Sequence, residues 1–288
     1  MIAVSALPTY LFCPRKMYLQ YVLEIKPIEV DRIVRGEIKH NVFDIINKAE
    51  EEIVKKTTIE NISEVGIMYK QEYYKALMQT IEQKEDTIAK VGLNKIELVQ
   101  ETWNRLMQEA ELRAKNIVEF AQQNKLYGKE LWEGLTPKYI TEMKVMSTKL
   151  KLRGRIDRVE VEDKLYTPIE IKTGNMPFNG VWLGDKIQLG AYILLLQQQH
   201  KAEHGYLEYT EYGVRKKLIM DEKLREEIIN LVGDVHETVK SKYLPKKCEN
   251  KKRCTNCIMR EACEDIETNY INEPEQEFYE GYDLTYIP

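Results

Sequence analysis

The chain has 288 residues, with 43 Lys+Arg against 47 Asp+Glu and a formal net charge of −4. Hydrophobic residues make up 43% and charged residues 31%, too apolar a balance for a disordered chain. The longest apolar stretch, around residues 192–196, falls far short of the ~20 residues that span a bilayer.

The mild acidity excludes a chain that is basic all over, but it hides an asymmetry. The last 28 residues hold nine acids and no Lys or Arg, leaving 38 acids against 43 bases in residues 1–260, a net of +5. The N-terminus, MIAVSALPTY, has no basic n-region. No secretory signal is therefore expected, and the cytoplasm is the expected compartment.

In chain order, Ser5 before Ala-Leu-Pro8 reads as the N-cap of a short helix running past Cys13 to about residue 22. Pro27 and a β-branched stretch separate it from a second helix over residues 31–55, whose Ile38, Val42, Ile45, Ile46 and Ala49 recur near a 3.6 period. Helical patterns dominate residues 63–125, with a break at Gly92-Leu-Asn94. After Pro137 the period changes. Residues 139–145, 150–161 and 165–173 read as strands, with Glu162-Asp163-Lys164 as a hairpin turn. A helix over 185–199 follows, then a strand pair over 206–212 and 214–220 turning at Tyr212-Gly213. Asp221 caps a helix to about residue 242, and Pro245 ends it. The order describes an α/β core with an inserted helical segment. There is no internal repeat and no low-complexity linker.

The most informative stretch is Gly154-Arg-Ile-Asp157 followed by Pro168-Ile-Glu170-Ile-Lys172. Residues two apart share a strand face, so Glu170 and Lys172 project together while Ile169 and Ile171 anchor the other side. If the Asp157 strand is the neighbour, all three charged groups converge. Two close carboxylates repel, and a divalent cation relieves that repulsion. A lysine beside such a cation can orient or deprotonate a water, which suits metal-assisted phosphodiester hydrolysis. The plain alternative is a solvated strand face carrying an ion pair. Gln188 and Tyr192 share a helix face just downstream, where both could meet a DNA backbone. Upstream, Gly36-x3-His40 offers an imidazole to the same metal, and a nitrogen ligand favours Mn²⁺ somewhat over Mg²⁺.

Of five cysteines, Cys248, Cys254, Cys257 and Cys263 crowd into 16 residues, and Cys13 stands near the other end. An odd count in a long chain without an export signal does not describe a disulfide scaffold. Cys254-x2-Cys257-x5-Cys263 has metal-ligand spacing, suited to Zn²⁺ or an iron–sulfur cluster, with Cys248 or Cys13 as the fourth ligand. Residues 246–260 carry six bases and one acid beside these thiols, either a phosphate-contacting loop or a solvated one.

Together, Gly36-x3-His40, Gly154-x2-Asp157, Glu170-x-Lys172 and Gln188-x3-Tyr192 resemble the RecB-type PD-(D/E)xK nucleases. With Cys13 in Leu-Phe-Cys-Pro-Arg-Lys and the C-terminal cysteines, the whole looks like the CRISPR-associated iron–sulfur exonucleases, the Cas-four family. The resemblance covers about residues 5–42 and 139–263, and covers the helical stretch of about 55–125 poorly. It implies a restriction-endonuclease-like core, a mixed sheet flanked by helices, with an inserted helical segment and a C-terminal iron–sulfur cysteine module. It implies that Cys13, Cys254, Cys257 and Cys263 hold a [4Fe–4S] cluster, with Cys248 left over. It implies that His40, Asp157, Glu170 and the Ile171 carbonyl bind Mn²⁺ or Mg²⁺, that Lys172 is the catalytic lysine, and that Gln188 and Tyr192 are the helix-motif residues.

The implied activity is exonucleolytic cleavage of DNA, often at single-stranded ends, to trim spacer precursors. The implied partners are DNA and CRISPR integrase proteins, with no membrane. The chain then divides into N-terminal helices (1–54), a helical insert or cap (55–136), a nuclease core (137–244), a cysteine module (245–268) and an acidic tail (269–288). The tail would be a solubilising or partner-binding extension. No G-x4-G-K-[ST] motif is present, so this chain encodes no ATP motor. Two other readings are open: a non-catalytic DNA-end-binding or assembly module, and a zinc- or iron–sulfur-stabilised RecB-like nuclease of DNA repair.

Overall fold

The computed structural model describes residues 1–26, 31–241 and 243–270. The expected break at Pro27, and residues 271–288 of the acidic tail, lie outside the described residues.

A short strand β1 (Ile2–Ala3) leads into helices α1 (Ala6–Phe12), α2 (Pro14–Tyr21) and α3 (Asp31–Lys55). The first helix expected from the sequence is two helices. Cys13 interrupts it with extended backbone (φ −165°, ψ 120°), and Pro14 starts the next, since proline suits a first turn where its missing N–H is no loss. Ser5 does not cap α1 through its side chain. Its own backbone is already helical (φ −63°, ψ −16°), so its hydroxyl is not turned toward the first free N–H groups.

The insert consists of α4 (Val65–Gln83), α5 (Glu85–Lys90) and α6 (Lys95–Asn124), followed by α7 (Gly128–Gly134). The break between α5 and α6 falls at the expected place: Gly92 takes φ 69°, and the Asn94 side chain accepts hydrogen bonds from the N–H groups of Ile96 and Glu97.

The remaining elements are β2 (Lys138–Ser147), β3 (Leu152–Glu162), β4 (Leu165–Lys172), α8 (Leu183–Leu196), β5 (His204–Tyr209), β6 (Val214–Ile219), α9 (Glu222–Lys240), α10 (Lys251–Thr255) and α11 (Arg260–Tyr270). The six strands form one mixed sheet in the order β1-β3-β4-β5-β6, with β2 also paired to β3. β2, β3 and β4 are an antiparallel meander, and β4 and β5 are parallel, joined through α8. Asp221 caps α9 by accepting from the Leu224 N–H, as its position before the helix predicts.

The sheet carries a core on each face. One gathers α1, α8 and α9 around Leu152, Ile156, Val159 and Leu207. The other gathers α3, α4 and α6 with Ile169 and Ile171 of β4. β4 is therefore covered on both sides, as its nearly continuous burial shows. A small third cluster, Leu19, Met259 and Ile266, docks α11 on α2. No helix among the described residues is long and apolar enough to cross a membrane.

Candidate active site

The site lies in a fork of the sheet. One edge of β3 pairs with β1 at Leu152 and Arg153, and with β4 only from Arg158 to Glu162. Residues 154–157 have neither neighbour in the ladder. There the Asp157 carboxylate takes over, and its Oδ2 accepts the Ile171 N–H at 2.8 Å. The fork also breaks the strand's alternation: Leu152, Ile156 and Val159 all enter the same core, although the last two are an odd number apart.

Glu170 and Lys172 project together from β4, as strand periodicity predicts, toward α8. The Lys172 amine donates to Glu170 Oε1 (3.1 Å) and to Gln188 Oε1 (3.0 Å), and pairs with Asp185 (3.1 Å). The Gln188 amide donates to Glu170 Oε1 at 2.7 Å, so this one side chain orients both β4 groups. The second Glu170 oxygen, Oε2, is buried without a hydrogen-bond partner. His40 of α3 brings Nδ1 within 3.6 Å of Asp157 Oδ1. Glu142 of β2 completes the group: one ligand atom from each of His40, Glu142 and Asp157 lies within 4.8 Å of the others.

The electrostatics suit a cation ligand. Burial pushes Glu170 up to about 7, and the Asp157 charge pushes the same way. Burial pushes Asp157 up to about 6, with Glu142 adding to the shift and the Ile171 N–H opposing it. Burial lowers His40, keeping its imidazole a neutral donor to a cation. Burial also works against the Lys172 charge, but Glu170 and Asp185 outweigh it and hold the amine firmly protonated. Buried carboxylates with no full complement of donors, next to a neutral imidazole, fit a hard divalent cation. His40, Asp157 and Glu170 are the residues that would hold it.

The sequence pattern of the PD-(D/E)XK nuclease superfamily matches residues 1–264. The chain belongs to the PD-(D/E)XK nuclease superfamily. Among curated members it is 29% identical over 161 residues to "CRISPR-associated exonuclease Cas4/endonuclease Cas1 fusion" of Leptospira interrogans, over 52% of this chain and 30% of that protein. It is 27% identical over 125 residues to "CRISPR-associated exonuclease Cas4" of Rhodospirillum rubrum, over 42% of this chain and 38% of that one. The chain therefore spans about a third of the length of these two relatives. "CRISPR-associated exonuclease Cas4" of Francisella tularensis subsp. novicida is 26% identical over 43% of this chain and 61% of its own length. The solved structure titled "Crystal structure of SSO0001" aligns with 58% of this chain and 79% of its own at 18% identity and a TM-score of 0.32.

Seen as a PD-(D/E)XK nuclease, the chain brings His40, Asp157, Glu170, Ile171, Lys172 and Gln188 together as expected. Tyr192 differs. It does not face outward to meet a DNA backbone, because it is 4% exposed and belongs to the core. A Cβ on Gly154 would stand 2.6 Å from the Tyr192 ring. The glycine of Gly-x-x-Asp and the tyrosine of Gln-x3-Tyr are thus one packing unit, pressing α8 on β3 so that Gln188 reaches β4. Gln188 likewise spends its amide on Glu170 and Lys172. Lys172 is held in place as a cation by Glu170, Gln188 and Asp185.

Two residues of this site escaped the sequence reading. Asp185 sits three residues before Gln188 and shares its helix face, a signal that was readable. Glu142 faces Asp157 only through the β2–β3 register, which has no local signature.

The five cysteines converge at the other end of α1. Cys13, Cys248, Cys254, Cys257 and Cys263 line one cavity of about 420 Å³ with Phe12, Leu19 and Met259. Cys248 Sγ lies 3.4 Å from Cys254 Sγ, and this neighbouring thiol, ahead of burial, pushes Cys254 up to about 11. Arg15 directs Nη1 at Cys263 Sγ (3.8 Å). Grouped thiols in an apolar-walled pocket fit a soft metal or an iron–sulfur cluster. The structure places Cys248 among the others rather than apart from them.

Proposed function

We propose that this chain is a divalent-metal-dependent deoxyribonuclease, an exonuclease that processes spacer precursors in CRISPR adaptation. The observation that carries the catalytic reading is the buried, unpartnered Glu170 Oε2 beside Asp157 and His40, with a protonated Lys172 fixed against the same carboxylate. A bound Mn²⁺ or Mg²⁺ would polarise the scissile phosphate and lower the pKa of an attacking water. Asp157 and Glu170 present the carboxylates, the Ile171 carbonyl lies between Glu170 and Lys172 in sequence, and His40 adds a neutral nitrogen. Lys172, steered by Gln188 and Asp185, offers a fixed positive charge to the phosphate oxygens as charge builds on them.

The names of the relatives support the CRISPR setting, and the fused Cas1 endonuclease in one of them supports an integrase as partner. Action on DNA in the cytoplasm follows from the same reading. The loop and hairpin beside the site support a single-stranded substrate. Phe178 is 97% exposed, and Trp182 and Tyr212 are about half exposed, each hydrogen-bonded to Asn175. Aromatic faces of this kind stack on unpaired bases.

The five converging thiols support a [4Fe–4S] cluster held by Cys13, Cys254, Cys257 and Cys263. Lys251, Lys252 and Arg253 beside them are exposed and suit phosphate contacts. We read residues 1–54, 55–136, 137–244, 245–268 and 269–288 as entry helices, cap, nuclease core, cluster module and tail.

The test is degradation of a labelled single strand with Mn²⁺ or Mg²⁺ by wild type, D157A and K172A. Both variants should lose about 100-fold or more in rate, the usual scale for losing a charge-stabilising group. Unchanged cleavage in both would overturn the catalytic reading.

A further inference from the structure

The cation set assigned above leaves out an acid that lies close to two of its members, His40 and Asp157. Glu142 lies at the middle of β2, and the antiparallel register that pairs Thr141 with Arg158 and Met143 with Ile156 sets it opposite Asp157. The pair itself is missing from the ladder, because Glu142 takes φ 52°, a left-handed conformation that is costly for a non-glycine residue inside a strand. The distortion goes with a largely buried carboxylate close to Asp157: the Glu142 side chain is only 14% exposed, and its present counter-ion is Arg155. That guanidinium comes from an arm that is 66% exposed, so it can withdraw into water. The second pointer to a ligand is independent of Glu142: the Glu170 Oε2 is buried and unpartnered, while Lys172 and Gln188 hold the same carboxyl group through Oε1 alone.

We propose that Glu142 is a direct protein ligand of the divalent cation, with His40 and Asp157, and that Arg155 is the counter-ion it displaces. This rests on reading the site as a divalent-cation site. Cation–oxygen bonds of about 2.1 Å set donor atoms roughly 3–4 Å apart in an octahedral shell. The three donor atoms, within 4.8 Å of one another, therefore need only a small contraction to share one ion. Glu170, whose Oε2 is buried and without a hydrogen-bond partner, would add a third carboxylate from the β4 side. Three carboxylates and one imidazole would make a site of higher charge and tighter affinity than Asp157 and Glu170 alone provide, with strand β2 adding a ligand outside the motif residues.

The experiment measures Mn²⁺ binding without DNA, by the loss of the free-ion paramagnetic resonance signal on titration. Wild type, E142Q, D157N and R155A are compared, each checked for folding by circular dichroism. E142Q should weaken Mn²⁺ binding by about tenfold or more, and R155A should tighten it, because the competing cation is gone. E142Q binding like wild type while D157N loses the ion overturns the role of Glu142 and leaves the cation site standing. No binding by wild type overturns both. If E142Q does not fold, R155A decides: affinity that is unchanged or weaker sinks the proposal.

Discussion

The residues that define the site are held in an uneasy state. Asp157 and Glu170 are raised by burial to about 6 and about 7, well above the ordinary carboxylate range near 4. A raised folded-state pKa means that the folded protein prefers the neutral acid. Its contribution to stability is complete below the unfolded pKa and is lost as pH rises through the folded one. The metal-free protein should therefore melt at progressively lower temperature from pH 4 to pH 8. E170Q should flatten that slope and raise the melting temperature at pH 8. Added Mn²⁺ should stabilise wild type more at pH 8 than at pH 5, because ionised carboxylates bind it. Thermal melts in chelator and in Mn²⁺ across this range check all three. A wild-type melting temperature that climbs with pH in chelator would contradict the burial argument. Gly154 shows the opposite kind of residue, one chosen for what it lacks: any side chain there meets the Tyr192 ring.

At the scale of elements, the insert is tied to the sheet by charge as well as by packing. Arg113 of α6 pairs with Glu50 of α3 (3.0 Å) and with Glu109 (2.8 Å), and Tyr69 of α4 donates to the same Glu50 (2.9 Å). Glu109 in turn meets Arg158 of β3 (3.4 Å), which also pairs with Glu208 of β5. These groups are largely buried, with Arg113 only 3% exposed. A buried network of this kind gives little net stability when whole, but removing one member strands the others. R113M should destabilise the protein by about 3–5 kcal/mol, read as a lowered urea midpoint. A midpoint within error of wild type would mean that apolar contacts alone seat the insert. The insert also covers Ile169 and Ile171, and so steadies the strand that presents Glu170 and Lys172.

At the scale of the whole molecule, Cys13 meets cysteines near the other end of the chain. A cluster there would close a loop of about 240 residues. Restricting the unfolded chain this way is worth about 5 kcal/mol in the chain-entropy treatment, growing only logarithmically with length. Iron removal from anaerobically purified protein, or C13S, should lower the melting temperature by roughly 10 °C or more. Visible absorbance and iron content follow cluster loss in parallel. A colourless, iron-free protein with unchanged stability would remove the cluster from this account.

Much of this protein was legible in local sequence. The 3.6-residue recurrence along residues 31–55 and the change of period after Pro137 predicted α3 and the β2–β4 meander closely, because each element must bury one face. Strand parity placed Glu170 with Lys172 and apart from Ile169 and Ile171, since alternation is a property of the backbone itself. The cysteine spacing pointed to a thiol-lined site for the same reason of short range.

What the sequence could not determine depends on contacts distant along the chain. The register of β2 on β3 puts Glu142 opposite Asp157. The close approach of α8 to Gly154 buries Tyr192. The return of residues 248–263 to α1 gathers five thiols rather than four. Local periodicity says which way a side chain points, but only the packed sheet and helices decide what it meets. The charge balance, a net of +5 in residues 1–260 against nine acids in the last 28, was in the sequence from the start. That two of its carboxylates would be buried together, and so call for a cation, was decided only by the fork between β3 and β4.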